Sequence, residues 1–282
     1  MTIYSPFFFK RTLVSIFMFS YVVFLTACGG ISVAPTTSDA APDRKVDVSN
    51  IPNAIPKNEA KSRYGNPKSY VVFSKRYYVM ESGKGFIEKG IASWYGTKFH
   101  GKRTSSGETY DMYAMTAAHK NLPLPTYVKV TNLNNGRHII VKVNDRGPFH
   151  ENRIIDLSYT AAIKLDIVKY GTGLVEVRAI EPGQKIPANS GDSTPVKTAS
   201  ESNDKAGFYI QVGSFGQLIN AENLRQKLGP IGDNLVKISQ PVVSGDTLYR
   251  VRIGPLTDID LADSIISKLV NFGVVEHRIV VN

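Results

Sequence analysis

Val141-Lys142-Val143-Asn144-Asp145-Arg146-Gly147-Pro148-Phe149 stands near the middle of the chain. Ile139, Val141 and Val143 alternate with Ile140, Lys142 and Asn144, the period-two signature of a half-buried strand, and Asp145 falls in phase with the buried set. Arg146-Gly147-Pro148 then breaks the strand, which sets the Asp145 carboxylate at the rim of a β core, where a side chain can meet a ligand. Working outward, residues 90–96 and 127–133 read as further strands, and residues 104–111 as a polar loop around Gly107. Ser158 can cap a helix running to about Leu165, with Ala161, Ala162 and Leu165 on its packing face. A last strand runs over residues 174–180, and this order of short strands, one helix and many turns fits a small closed barrel.

Six stretches stand in order over about 90 residues: Gly90-Ile91-Ala92-Ser93-Trp94-Tyr95-Gly96, Ser106-Gly107-Glu108-Thr109-Tyr110-Asp111, Ala114-Met115-Thr116-Ala117-Ala118-His119, Val128-Lys129-Val130-Thr131-Asn132, Asn144-Asp145-Arg146-Gly147-Pro148-Phe149 and Ile155-Asp156-Leu157-Ser158. Together they resemble the rare lipoprotein A family. The resemblance implies a six-stranded double-psi β-barrel at residues 90–181. It also implies endolytic lytic transglycosylase activity on peptidoglycan: cleavage of the β-1,4 bond between N-acetylmuramic acid and N-acetylglucosamine in strands stripped of stem peptides, leaving 1,6-anhydro ends.

Cleavage between sugars needs a group that protonates the leaving oxygen and a second that removes a proton or stabilises positive charge, and Asp and Glu pairs usually supply both. The residues offer Glu108, Asp111, Asp145 and Asp156. The resemblance points to Glu108 and Asp145 as the catalytic carboxylates, without fixing which is the acid, and to His119 as a third polar group in the same groove. Asp156 is the runner-up, because expansins, which are related barrels, place an acting acid in a similar acid-Leu-Ser setting; its expected role here is support of the following helix. No His, Cys and acid cluster has metal-ligand spacing and no glycine-rich phosphate loop is present, so neither metal nor cofactor is expected.

The chain has 282 residues, 42% of them hydrophobic, enough for a good core and room for two domains. Its formal net charge of +10 favours an anionic partner. The basic residues are scattered and no nucleic-acid-binding spacing appears, so an anionic glycan fits better than nucleic acid.

Lys10-Arg11 precedes an apolar run, Thr12 to Thr26, too short to span a membrane comfortably and ending in Leu25-Thr26-Ala27-Cys28. The single cysteine at that spot matches a lipoprotein signal box. Residues 1–27 therefore read as a signal peptide and Cys28 as the lipidated residue, and Gly29 rather than Asp after it directs the chain to the outer membrane, facing the periplasm. Residues 28–62 read as a flexible tether. Residues 63–89 read as a lead-in hairpin turning at Ser74-Lys75, and the Pro, Ser and Thr-rich residues 182–206 as a second linker.

Residues 207–282 carry an internal echo: Phe208-Tyr209-Ile210-Gln211-Val212-Gly213-Ser214-Phe215 and Tyr249-Arg250-Val251-Arg252-Ile253-Gly254-Pro255 each precede a helical pattern. With residues 236–243 and 278–281 added, the order is a ferredoxin-like β-α-β-β-α-β, making the whole chain mainly β plus α+β. This segment resembles the SPOR domain, which implies binding to stem-peptide-free glycan at the division septum. Parity turns Phe208, Ile210, Val212, Val251 and Ile253 toward the helices and leaves Tyr209, Gln211, Leu248, Arg250 and Arg252 on the free face, where the resemblance places glycan binding.

The combined reading is a monomeric septal transglycosylase; the alternative is a non-catalytic lipoprotein that tethers the outer membrane to septal glycan. Cys28→Ala should leave the precursor uncleaved by the lipoprotein peptidase and without covalent lipid. Metabolic labelling with a palmitate analogue checks this, and equal labelling of wild type and variant would sink the lipoprotein reading.

Overall fold

The computed structural model describes residues 39–43, 46–150, 152–183, 207–243 and 245–281. The expected signal peptide, Cys28 and all but the first two residues of the second linker lie outside them.

A hairpin comes first, β1 (Ser69–Val72) and β2 (Lys75–Tyr78). Its turn residues are Phe73 and Ser74, both at positive φ (48° and 63°), one position earlier than the sequence indicates. Paired positive φ values give the primed turn whose twist matches the flanking strands. Six strands then close the barrel: β3 (Ile87–Tyr95), β4 (Thr116–His119), β5 (Thr126–Asn132), β6 (His138–Asp145), β7 (Arg153–Ser158) and β8 (Thr172–Ala179), in the order β3-β7-β4-β6-β5-β8. The β3/β7 and β4/β6 pairs are parallel and the other four are antiparallel. Ala92, Ala117, Val128, Val130, Val141, Val143, Ile155, Leu157, Val175 and Val177 fill the interior with no exposed surface, as a barrel of this size requires. Helix α1 (Tyr159–Leu165) is capped by Ser158, whose side chain accepts the Ala161 N–H, and buries Ala161, Ala162 and Leu165.

The inward row of β6 ends differently from its sequence phase. Ala117 pairs with Val143 but Ala118 pairs with Asp145, so a bulge at Asn144 interrupts the ladder. Bulges bend a strand and re-aim a side chain. Asp145 is accordingly half-buried, while Asn144 is nearly enclosed.

The expected tether over residues 28–62 needs correction where it is described, because residues 39–43 and 46–62 are docked on the barrel. The Asp39 carboxylate accepts the N–H groups of Gly96 at 3.0 Å and Lys98 at 3.1 Å. A Cβ on Gly96 would stand 2.1 Å from the Ala40 carbonyl oxygen, so only glycine admits this approach. Ala54 donates to the Ile140 carbonyl, Ile51 and Ala54 pack on the barrel core, and Tyr127 donates to Glu59. Each of these residues docks singly, so the segment has no repeat that periodicity detects.

In the second half, β9 (Phe208–Phe215), α2 (Leu218–Lys227), β10 (Val236–Ser239), β13 (Tyr249–Leu256), α3 (Ile259–Leu269) and β14 (Arg278–Val281) give the β-α-β-β-α-β order, with the sheet running β10-β13-β9-β14. The strand read over residues 236–243 splits into β10 and a two-residue strand β11 (Val242–Val243), which pairs with β12 (Asp246–Thr247). Phe208, Ile210, Val212, Val251 and Ile253 are buried, as parity requires.

From Asp39 onward the described residues form one unit, and the two halves share a core. Ile91 of β3 and Leu174 of β8 join the apolar cluster of residues 208–274, at 0% and 1% exposure, and β14 lies against β3. Leu174→Ala should therefore destabilise the chain by about 2–5 kcal/mol, the scale for a fully buried leucine, while Val275→Ala at an exposed site stays within about 0.5 kcal/mol. Urea denaturation checks both, and a near-zero effect at Leu174 would contradict the shared core.

Candidate active site

The site is built where the loop of residues 103–109 folds over the end of β6. The loop is closed on itself by the Arg103/Thr109 bridge and by the Thr104 N–H donating to the Glu108 carbonyl at 2.8 Å, and it is tied to β6 by the Ser106 N–H on the Asn144 carbonyl at 3.2 Å. This brings Glu108 and Asp145 to one rim. Glu108 accepts Lys142 Nζ at 2.8 Å on Oε1 and Asn144 Nδ2 at 2.7 Å on Oε2. Lys142 in turn donates to Glu59 at 3.0 Å. Burial pulls the Lys142 ammonium down, but Glu108 and Glu59 outweigh it and hold the group above its ordinary value.

Asp145 accepts three bonds, all on Oδ1: Ser105 N–H at 2.7 Å, Ser105 Oγ at 2.6 Å and the Arg146 N–H at 2.7 Å. Two backbone donors are what a turn acid collects, and the Ser105 hydroxyl adds the link to the Glu108 loop.

Asp156 stands in the same row. Ala118 pairs with Asp145 on one side and Asp156 on the other, so the two Cα atoms are roughly 10 Å apart, two inter-strand spacings. Ser93 Oγ donates to Asp156 Oδ1. Burial raises the Asp156 carboxyl above its usual range despite that hydrogen bond and the charges of Arg153 and Lys120. Gly147, at φ +137°, leaves room above it: a Cβ there would sit 3.8 Å from both Asp156 Oδ2 and the Ala118 methyl. The Asp156 side chain bonds Ser93 and not the helix that follows, which is capped by Ser158 as expected.

His119 lies apart from the Glu108 loop. Its ring is 2% exposed, and its Nδ1 accepts the N–H groups of Asn121 and Leu122, both at 3.1 Å. Burial lowers its pKa, so the neutral ring carries its proton on Nε2, toward Glu88 Oε2 at 3.6 Å. Asp111 holds a local turn through the Tyr113 N–H at 2.9 Å.

On the second sheet, Tyr209, Gln211, Arg250 and Arg252 are all half-buried on the face away from the helices. Arg252 pairs in register with Gln211, which pairs with Arg278 on β14. Burial, then Arg250 and Arg278, press Arg252 below its usual value, so three guanidinium groups are gathered there. Arg278 escaped the two-strand parity argument, although alternation along Arg278-Ile279-Val280-Val281 points to it. Ser93, Ser105 and Lys142 were also missed. A serine inside an apolar strand, a serine in a polar loop and a lysine on the outward phase of β6 are the signals they give.

Residues 87–178 match the family model described as lytic transglycolase, and residues 204–275 match that described as SPOR domain. Endolytic peptidoglycan transglycosylase RlpA of Vibrio cholerae serotype O1 is 43% identical over 240 residues, covering 84% of this chain and 85% of that protein. Its namesake in Neisseria meningitidis serogroup A is 57% identical over 199 residues, covering 69% and 76%. The crystal structure of the RlpA SPOR domain from Pseudomonas aeruginosa, 30% identical, is covered in full by 27% of this chain at a TM-score of 0.26.

Because the folded state holds the Asp156 proton more tightly than the unfolded chain, the stability from this group is present below the unfolded carboxylate value of about 3.9 and is lost as pH rises through the raised folded one. Asp156→Asn removes the buried charge and can still accept from Ser93. Its urea midpoint at pH 7.5 should equal or exceed that of wild type, with the difference shrinking toward about pH 4. A variant markedly less stable at pH 7.5 would show that the charge is stabilised in place.

Proposed function

The chain belongs to the rare lipoprotein A family of endolytic peptidoglycan transglycosylases, and from that premise we propose that its barrel cuts the β-1,4 bond between N-acetylmuramic acid and N-acetylglucosamine in strands lacking stem peptides. The observation that carries the reading is the convergence of Glu108 and Asp145 on one rim through the Ser105 loop. In this reaction the muramyl C6 hydroxyl closes on its own anomeric carbon as the bond to the leaving oxygen breaks. One carboxyl protonates that oxygen and another receives the hydroxyl proton, and the internal nucleophile acts at high effective molarity.

Both Glu108 oxygens accept hydrogen bonds, which suits the base or an electrostatic partner. All three bonds to Asp145 fall on Oδ1, so Oδ2 can carry a proton and Asp145 serves as the acid. A second reading is favoured by the raised pKa of Asp156: burial makes this carboxyl hold its proton to a higher pH than an exposed one, which suits a proton donor beneath Gly147. The SPOR domain holds the strand on Tyr209, Gln211, Arg250 and Arg252, and Cys28 anchors the chain by lipid at the outer membrane, facing the periplasm and concentrated at the septum.

Glu108→Gln and Asp145→Asn preserve shape while removing the charge and the exchangeable proton, so each should reduce turnover by roughly 10²-fold. Mass spectrometry of anhydro-muramyl ends released from amidase-stripped sacculi measures it, with Asp156→Asn run in parallel. Full activity in the first two with loss only in the third transfers the acid to Asp156. Absence of anhydro ends with wild-type protein overturns the enzymatic reading in favour of a glycan tether.

A further inference from the structure

A cavity of about 170 Å³ lies where β14 meets the barrel, apart from the Glu108 loop. Glu88, Lys89, His119 and Arg153 line it from the barrel, and His277 and Arg278 from the SPOR domain. We propose that this cavity is a subsite for a sugar bearing a carboxylate, which in the substrate of the reading above is the lactyl ether of muramic acid.

Charge points that way first. Lys89, Lys120, Arg153 and Arg278 face one acid, Glu88, whose Oε2 is directed at His119. A small cavity with four cations around it favours an anion over a neutral sugar. The second observation is an unmet donor. His119 is 2% exposed and its Nδ1 accepts two backbone N–H groups, while its Nε2–H meets only Glu88 Oε2, across 3.6 Å, too long for a well-formed hydrogen bond. His277 Nδ1 is also buried and unpartnered; with the ring proton on Nε2 it is an acceptor, which a sugar hydroxyl rather than the carboxylate would meet. Two imidazole nitrogens left unsatisfied around one cavity are atoms a polar ligand would complete.

The cavity is preformed. Ile91 and Leu174 fix the sheet to the barrel, Asn152 Nδ2 donates to Asp263 at 2.8 Å, and His277 Nε2 donates to Asn152 Oδ1 at 3.1 Å. It is also continuous with both functional faces. Arg278 continues the cross-strand row of Arg252 and Gln211. On the other side, Arg153 acts electrostatically on Asp156. A glycan lying along the arginine row thus brings an acidic sugar into the cavity before it reaches the barrel carboxylates.

The test titrates the mature lipid-anchored chain in detergent with stem-peptide-free GlcNAc-MurNAc oligosaccharides and with the same oligosaccharides amidated at the lactyl carboxyl. Wild type should bind the acid form more tightly. Arg153→Gln and Arg278→Gln should each lose about fivefold or more for the acid form and less than about twofold for the amide, as expected for a charge-assisted contact. The ring resonances of His119 and His277 should move when the acid form is added, a readout that a folding defect in one variant does not mimic. Equal wild-type affinity for both forms, equal losses for both in the variants, or unmoved resonances would overturn the subsite while leaving the proposed reaction standing. A wild type that neither binds nor cleaves either form overturns both.

Discussion

The Arg146 guanidinium fixes the ground on which the rim is built. Nε and Nη2 donate to the Gly65 carbonyl at 2.9 and 2.7 Å, and Nη1 donates to those of His119 at 3.0 Å and Leu122 at 2.6 Å. A half-buried cation still needs its inward donors satisfied, and a planar fork of five donors in fixed directions suits tying three chain segments at once. The segment before the hairpin, the turn leaving β4 and the end of β6 are thereby locked together. Its backbone N–H goes to Asp145. The cation therefore positions the carboxylate through the backbone while its own charge is spent on carbonyl oxygens.

That division explains what local rules recovered from the sequence. The alternation of Val141 and Val143, the Ser158 cap and the inward parity of Phe208, Ile210 and Val251 each depend on a few neighbouring residues, and each is found in place. The rest is tertiary. A bulge at Asn144 leaves no mark in a sequence that alternates straight through it, and it is what turns Asp145 toward Ser105. Glu59 comes from a stretch whose Ser, Thr, Ala and Pro content reads as a tether, yet it pairs with Lys142 because Ile51 and Ala54 dock beneath. Ile91 precedes Ala92 in a run apolar on both faces, which tells that the strand is covered twice without telling by what.

The candidate site was legible in its residue types and only partly in its grouping. Glu108 and Asp145 meet through a loop that motif order suggested, whereas His119, one residue from Ala118, faces the opposite side of β4 and serves a backbone turn. Neighbours in a strand point to opposite faces, so proximity in sequence to a site-facing residue counts against sharing its groove. Asp156 is the converse: two strands from Asp145, it shares the row because Ala118 lies between them.

The three carboxyls differ in the way acid and base chemistry requires. Glu108 meets an ammonium and an amide in a half-exposed loop, Asp145 meets backbone donors at the rim, and Asp156 is half-buried with one serine donor. Environments that treat like groups unequally are what separate proton donor from acceptor at a single pH. For a polymer substrate, that separation works only if the strand arrives in register with the rim. A free linker raises local concentration but leaves orientation to chance, whereas a sheet sharing a core with the barrel through Ile91 and Leu174 fixes direction as well. The apolar outer face of β3 is thus as much a part of the site's geometry as the acids at its end.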